Sequence, residues 1–117
     1  SNVRELLGNI KNEYSVIIIA DQRTSEGIKI NFFNNPALTT TIPAQISLKY
    51  NYKIVPVYIE RLPDSKFEMT IHKPFEYEKT GSHETDIYNL TLKINKEIEK
   101  MILNKPEQWI WSHNRWK

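Results

Sequence analysis

Tyr14-Ser-Val-Ile-Ile-Ile-Ala20 is a continuous apolar run, and it predicts the fold of this chain more strongly than any other segment. Its residues are mostly β-branched, which favours a strand, and a run without polar alternation is typical of a strand buried on both faces. Such strands occur in sheets that are covered by helices. We therefore expect a three-layer α/β domain with a mixed, mostly parallel sheet.

Two polar residues, Asp21 and Gln22, follow the end of this predicted strand. In open α/β sheets, ligands bind outside the carboxyl ends of the strands, so Asp21 is a candidate site residue. The alternative is that the Asp21 carboxylate only caps the next turn. Spacing alone favours this alternative.

Apolar residues at helical spacing predict three helices. The first covers residues 3–13, the second covers about 42–49, and the longest begins after an N-cap at Ser82 and ends before Pro106. We expect Glu97 and Glu99 on the solvated face of the longest helix. Its apolar stripe comprises Ile87, Leu90, Ile94, Ile98 and Met101.

Alternating apolar and polar residues predict further strands. Residues 28–33 alternate and are followed by a turn signal at residues 34–36, whose Pro36 suits the first turn of a helix. Residues 52–62 and 67–72 are expected to form an antiparallel pair. Pro56 removes one backbone donor from the first of these strands, so it predicts a bulge or an unpaired position.

Composition excludes several classes of protein. The 117 residues contain no cysteine and three isolated glycines, which excludes a disulfide scaffold, a thiol nucleophile, a P-loop and a dinucleotide fingerprint. His72, His83 and His113 lack metal-ligand spacing, so no metal or other cofactor is expected. The net charge of +2 does not by itself imply a nucleic-acid partner. No apolar run approaches the length of a bilayer span.

The end of the sequence concentrates aromatic and basic residues. Three roles compete for it: core packing, a platform for nucleic-acid bases, and a surface for anionic lipid head groups. Composition favours packing, so we expect the segment to fold back with Trp109 and Trp111 largely buried, their indole N–H groups bonded, and Arg115 near Asp21. The residues concerned are Trp109, Trp111, His113, Arg115, Trp116 and Lys117.

The same segment, Pro106-Glu-Gln-Trp-Ile-Trp-Ser-His-Asn-Arg-Trp-Lys117, closely resembles the closing motif of the bacterial lipid A biosynthesis acyltransferases. Residues 20–22 (Ala-Asp-Gln), 32–39 (Phe-Phe-Asn-Asn-Pro-Ala-Leu-Thr), 54–57 (Ile-Val-Pro-Val) and 61–64 (Arg-Leu-Pro-Asp) resemble further motifs of that family, in the same order. The family usually has glycine where Asn34 or Asn35 stands here. Asparagine tolerates a positive φ, so the turn is expected to survive.

The resemblance implies a glycerolipid-acyltransferase-like fold. It also implies an enzyme at the cytoplasmic face of the inner membrane, anchored by an N-terminal helix, that moves an acyl chain from acyl carrier protein to a hydroxyl of a lipid A precursor. The family's general base is the histidine of an H-x₄-D/E dyad. No histidine here has that acid, because Tyr77 and Tyr88 stand at the matching positions after His72 and His83, and His113 is followed by only four residues. We therefore expect residues 1–117 to be one domain, the C-terminal portion of a longer acyltransferase, and inactive alone.

The resemblance also implies roles for individual residues. Asp21 would support catalysis, because the family's matching motif faces the dyad. Arg61 and Arg115 are candidate phosphate contacts, since arginine binds phosphate through two nitrogens. Alternatives stay open: Arg115 could pair with an acid such as Glu107, and the chain could be a stand-alone module that binds anionic lipid head groups or single-stranded nucleic acid. The full set of candidate substrate-binding residues is Gln22, Thr39, Pro56, Arg61, His113 and Arg115.

Overall fold

The computed structural model describes residues 15–109 and 114–116. They form a mixed α/β domain with two small antiparallel sheets and two α-helices. In chain order the elements are β1 (Ile28–Phe32), β2 (Asn35–Thr39), α1 (Ile42–Tyr50), β3 (Val57–Leu62), β4 (Lys66–Ile71), α2 (His83–Asn104) and a 3₁₀ turn (Pro106–Gln108).

The first sheet is a hairpin with a two-residue turn. Strands β1 and β2 pair antiparallel from Ile28↔Thr39 to Phe32↔Asn35. Phe33 and Asn34 in the turn have φ values of 50° and 62°, the backbone sign at both central residues that a type I′ turn requires. Asn34 therefore tolerates the positive φ, as expected.

Strand β2 was not predicted. Pro36 lies inside β2, opposite Asn31, rather than in the first turn of a helix. A proline is allowed there because a two-stranded sheet has only edge strands, so the missing N–H can face away from the partner.

The second sheet confirms the predicted antiparallel pair, with shorter strands. β3 and β4 pair from Val57↔Ile71 to Leu62↔Lys66. Pro56 lies just before β3, and its carbonyl accepts a hydrogen bond from the His72 N–H at 2.9 Å. The strand pairing thus continues at Pro56, which takes part only through its carbonyl oxygen because proline has no N–H to donate.

Both predicted helices within the described residues are confirmed. The Ser82 hydroxyl accepts a hydrogen bond from Thr85 N at 3.4 Å and caps α2, which ends before Pro106. Helix α1 begins directly after Thr41 with Pro43 in its first turn. The predicted helix at residues 3–13 lies outside the described residues.

The helix α2 organises the core by packing against the first hairpin and against α1. One buried cluster joins Phe32 and Ala37 of the hairpin to Ile102 of α2. The other joins Ala44 and Leu48 of α1 to Leu90.

The prediction of an interior strand at Tyr14–Ala20 is wrong for the residues that the structure describes. Residues 15–20 have no regular secondary structure, and the side chains of Ile17 and Ile19 are 97% and 69% exposed. A β-branched run supplies local strand propensity, but a strand needs a neighbouring strand for its backbone groups, and no described strand pairs with this segment. Tyr14 itself lies outside the described residues.

The three-layer architecture with a mostly parallel sheet is likewise not confirmed. Between residues 15 and 109, every strand pair is antiparallel and each sheet has two strands. Parallel pairing requires strands that are brought together by a crossover connection. Both sheets here are hairpins joined by short turns, which can only give antiparallel pairs.

Candidate functional site

The end of the chain packs onto the first hairpin through aromatic rings. The Phe32 ring lies 5.8 Å from Trp109 and 5.6 Å from Trp116, measured between ring centroids. The two tryptophan rings meet edge to face at 6.2 Å. The indole N–H of Trp116 donates to the Phe32 carbonyl at 2.8 Å. These contacts hold Trp109 and Trp116 against β1, so the predicted fold-back is confirmed for these two residues. The predicted burial of Trp111 falls outside the described residues.

Trp109 connects this aromatic cluster to Asp21. Its indole N–H donates to Asp21 Oδ2 at 3.1 Å, although the residues are 88 positions apart in sequence. Trp109 is half-buried rather than largely buried, and its N–H has an acceptor as expected. The carboxylate of Asp21 is thereby held at a defined place beside the hairpin.

Arg115 is the most deeply buried charged side chain among the described residues, with 1% of its surface exposed. Its terminal nitrogens donate to the Leu38 carbonyl at 2.5 Å and to Thr39 Oγ1 at 3.0 Å. The guanidinium lies 5.2 Å from the centre of the Phe32 ring, a cation–π distance. Burial lowers the pKa of Arg115 from its ordinary value, and the nearby Asp21 carboxylate opposes that shift.

Thr39 is the polar centre of the cluster. Its hydroxyl oxygen accepts from Arg115 and, at 3.3 Å, from the Asn95 side-chain amide, and its proton is donated to the Ala37 carbonyl at 3.0 Å. Asn95 is fully buried on α2. Thr39 therefore ties the tail, the first hairpin and α2 together.

A loop between Asp21 and β1 passes close to Thr39 because Gly27 allows it. Gly27 has a φ of 130°, and a Cβ at this position would collide with the Thr39 carbonyl. Only glycine adopts this backbone without strain while leaving room for the carbonyl. This close approach directs the segment that carries Asp21 towards the cluster.

Glu99 supports the strained turn of the hairpin. Its Oε1 accepts a hydrogen bond from the Phe33 N–H at 2.6 Å, and its Oε2 lies 3.4 Å from Lys96 Nζ. The prediction that Glu99 faces solvent is wrong, because only 9% of its surface is exposed. The physical reason is this partner on the hairpin, which compensates the burial of the carboxylate.

The structure brings three of the seven predicted site residues together: Asp21, Thr39 and Arg115. Gln22 is exposed beside Asp21 in sequence. Arg61 lies on the second hairpin, where its backbone N–H and C=O both bond to the Gln108 side chain at 2.8 and 2.9 Å.

The other two predicted site residues are not brought to the cluster. Pro56 precedes β3, and none of its described contacts reaches the Thr39 cluster. His113 lies outside the described residues.

Sequence reasoning missed the polar side of α2. Thr91, Asn95 and Glu99 are all buried and recur every four residues, each directly following a residue of the predicted apolar stripe. Residues four apart share one face of a helix, so this spacing beside Leu90, Ile94 and Ile98 was the available signal. It predicts a buried polar row rather than a solvated one.

Several other kinds of site are not found in the described part of the chain. Among residues 15–109 and 114–116, no three His, Asp or Glu side chains are placed to hold a metal ion. None of the helices described there is both long and apolar enough to cross a bilayer. An open cavity of about 430 Å³ lies beside Tyr52, Phe75 and Tyr77, and its lining includes no residue of the Asp21 cluster.

The arrangement can present one carboxylate at a fixed position beside a buried cation. A carboxylate held in this way can accept a hydrogen bond from an imidazole or a hydroxyl and so orient either group for proton transfer. No histidine is in reach of that role among the described contacts of Asp21.

Of the comparisons with known proteins, the one with protein families gives a match, which covers the full length of the chain. The chain matches no curated protein. Residues 1–117 match the model of a family described as bacterial lipid A biosynthesis acyltransferase. The match includes both sequence segments that meet in the Asp21–Trp109 hydrogen bond. This chain therefore belongs to the bacterial lipid A biosynthesis acyltransferase family.

Proposed function

We propose that this chain is the C-terminal portion of a membrane-associated enzyme that transfers a fatty acyl chain from acyl carrier protein to a hydroxyl of a lipid A precursor. Family membership supports acyl transfer in lipid A biosynthesis. The thioester donor, the position of the enzyme at the cytoplasmic face of the inner membrane, and the absence of a nucleic-acid partner are parts of this proposal.

The hydrogen bond between Trp109 and Asp21 is the observation that carries the proposal. It joins the closing motif to the Ala20-Asp21-Gln22 motif and leaves a carboxylate at a fixed position. In the proposed mechanism, a histidine of an H-x₄-D/E dyad takes the proton from the acceptor hydroxyl, whose oxygen attacks the thioester carbonyl. The C–S bond then breaks as the ester forms, and the thiol of acyl carrier protein leaves with the proton that the histidine returns. Asp21 supports the dyad by orienting the histidine or the acceptor.

The dyad is proposed to lie before residue 1 in the complete enzyme. No histidine of these 117 residues has an acid five positions later. The chain alone should therefore transfer no acyl group. Acyl transfer above background by the purified chain would contradict this part of the proposal.

The geometry supports different roles for the two candidate arginines. Both terminal nitrogens of Arg115 donate hydrogen bonds within the protein, to Leu38 and Thr39. We therefore assign Arg115 the role of positioning the residues around Asp21. Arg61 is exposed and remains the candidate contact for an acceptor phosphate. Thr39 is buried and its hydroxyl is hydrogen-bonded to Arg115, Asn95 and Ala37, so we assign it a positioning role as well. Gln22, Pro56 and His113 remain proposed substrate contacts.

The test is an acyl-transfer assay on the complete enzyme with labelled acyl carrier protein and a lipid A precursor. Asp21→Asn should lower kcat by about 100-fold or more, the usual contribution of a group in acid–base catalysis. The matched control is Glu84→Gln, which makes the same carboxylate-to-amide change at an exposed position in the first turn of α2. Unchanged turnover in Asp21→Asn would return Asp21 to the role of a turn cap. No transfer by the unmodified enzyme would exclude the proposed function.

A further inference from the structure

Asn95 is a buried polar residue of α2 whose side chain is only partly used in hydrogen bonding. Its side-chain nitrogen lies 3.3 Å from Thr39 Oγ1 and 3.5 Å from the Asn31 carbonyl oxygen. Its side-chain oxygen is buried and has no hydrogen-bond partner among the described residues. An unpaired acceptor in a buried place costs free energy, and a leucine of similar volume would avoid that cost. Stability therefore does not account for an asparagine at this position.

The bond from Asn95 completes the hydrogen bonding of the Thr39 hydroxyl. A hydroxyl has one proton to donate and two lone pairs that accept. Thr39 donates its proton to the Ala37 carbonyl at 3.0 Å. Its oxygen accepts from Arg115 Nη2 at 3.0 Å and from Asn95 Nδ2 at 3.3 Å. Rotation about χ1 would move this oxygen between staggered positions, so the set of partners, Asn95 included, decides where it lies.

The position of Arg115 depends in turn on the Thr39 oxygen. Among the described residues, the guanidinium donates to the Leu38 carbonyl and to Thr39 Oγ1, and its buried Nε has no partner. The Leu38 carbonyl belongs to the backbone of β2, so its place follows from the hairpin. Thr39 Oγ1 is the side-chain acceptor of the pair. Without it, the guanidinium would be free to turn about the bond to Leu38.

Arg115 acts on Asp21 through its charge. The two side chains attract each other electrostatically, and Asp21 Oδ2 also accepts the hydrogen bond from the Trp109 N–H at 3.1 Å. Attraction between charges inside a protein is stronger than in water and depends on their separation. A displaced guanidinium would therefore change the place of the Asp21 carboxylate. A shift of about 1 Å in a group that takes part in catalysis can cost about 100-fold in rate.

We propose that Asn95 is a positioning residue for Asp21 and acts through Thr39 and Arg115. The helix α2 thereby sets where the carboxylate lies, by a chain of buried side chains. The inference rests on the proposed function in one respect, which is that Asp21 supports acyl transfer. The placement of Asp21 itself can be measured without any acyl transfer.

The first test follows the Trp109 indole N–H in nitrogen–proton correlation spectra of the 117-residue chain. Asn95→Leu should shift this signal and speed its exchange with solvent by about fivefold or more, because its acceptor Asp21 loses a fixed place. The Trp116 N–H donates to a backbone carbonyl instead and should be unchanged. Asn95→Ala, which removes the same donor without adding bulk, is a second variant and should give the same result.

Thr91→Val is the matched control for Asn95→Leu. Thr91 is buried on α2 one turn before Asn95, and its hydroxyl likewise has no partner among the described residues. The control makes the same polar-to-apolar change on the same face without removing a bond to Thr39, so it should leave both indole signals unchanged. Each variant also removes an unpaired buried oxygen. Neither should therefore lower the urea midpoint of unfolding, which separates a positioning role from a structural one.

The second test measures acyl transfer by the complete enzyme. Asn95→Leu should lower kcat by about tenfold, because Asp21 is displaced, and leave KM for the acyl donor within about twofold. Thr39→Val removes the hydroxyl through which Asn95 acts and should lower kcat at least as much. The double variant should then lose no more than Thr39→Val alone. Thr39→Ser keeps the hydroxyl and should retain most of the activity.

Three results would overturn the proposal. The first is a Trp109 signal that Asn95→Leu and Asn95→Ala leave unchanged. The second is an equal shift of that signal in Thr91→Val, which would assign the effect to repacking of α2. The third is that the kcat losses of Asn95→Leu and Thr39→Val multiply in the double variant. An unmodified complete enzyme without acyl-transfer activity would contradict the proposed function but leave the spectra as the test of how Asp21 is placed.

Discussion

At the scale of single residues, Trp109 and Trp116 allow one hydrogen bond to be isolated. Both rings pack on Phe32, but only the Trp109 N–H donates to a carboxylate, that of Asp21. In a double-mutant cycle, Trp109→Phe and Asp21→Asn should show a coupling energy of about 1 kcal/mol or more in urea unfolding, because bonds to charged groups are stronger than neutral ones.

The same cycle with Trp116→Phe is the matched control. Trp116 donates to the Phe32 carbonyl rather than to Asp21, so its coupling to Asp21→Asn should be close to zero. Equal coupling for both tryptophans would mean that the aromatic cluster as a whole, and not the Trp109 N–H, holds Asp21.

Arg115 provides a second prediction at this scale. A lysine at this position keeps the charge but cannot reproduce two fixed donors to Leu38 and Thr39. Arg115→Lys should therefore lower the free energy of unfolding by about 2–4 kcal/mol, measured by urea denaturation. An unchanged free energy of unfolding with a raised KM for the acceptor would instead favour a phosphate contact.

At the scale of elements, the turn of the first hairpin depends on Glu99 of α2. Glu99→Ala should destabilise the chain by about 1–3 kcal/mol, since the Phe33 N–H loses its acceptor in a largely buried place. Glu99→Gln keeps an acceptor oxygen and should cost less. Glu97→Ala removes a more exposed carboxylate of the same helix and should stay within about 0.5 kcal/mol. Similar losses in all three variants, followed by thermal melting, would contradict the specific role of Glu99.

The tail after α2 is predicted to stabilise the domain. Truncation after Lys105 removes Trp109, Arg115 and Trp116, and with them the rings that cover Phe32. The expected loss is several kcal/mol, because buried aromatic side chains cost about 3–5 kcal/mol each when deleted. A truncated chain with the melting temperature of the intact one would contradict a clamping role for the tail.

Helices and strands that are specified by residues close together in the sequence could be predicted from it. The Ser82 cap and the apolar stripe define α2, and alternation with a short turn defines β3 and β4. The prediction of a strand at Tyr14–Ala20 was wrong for its described residues, 15–20, because a strand needs a neighbouring strand, which a local pattern does not supply. The spacing of Glu99 from Thr91 and Asn95 shows which face it shares, but the partner that compensates its burial, Phe33, lies 66 residues away and could not be predicted locally. The Asp21–Arg115 proximity could be anticipated only together with the fold-back of the tail, which the burial of its tryptophans predicts.

At the scale of the whole molecule, the two hairpins of the described structure are held to α2 by different kinds of contact. The first hairpin and α1 pack on α2, whereas the second hairpin is tied to the end of α2 by the Gln108–Arg61 backbone bonds and the Lys105–Glu60 ion pair. Gln108→Ala should therefore speed amide hydrogen exchange in β3 and β4 and leave exchange in α2 unchanged. Faster exchange in both regions would show that the hairpin and the core open as one unit.

The side chain of Gln108 also has a consequence for solubility. By bonding to both the N–H and the C=O of Arg61, it fills the place on the outer edge of β3 that the backbone of an incoming strand would need. Strand edges with exposed apolar side chains are templates for fibril growth, and β3 carries Val57 and Ile59 beside this position. We therefore expect loss of this carboxamide to leave the edge of β3 open to pairing with the strand of another chain, the first step of amyloid-type self-assembly.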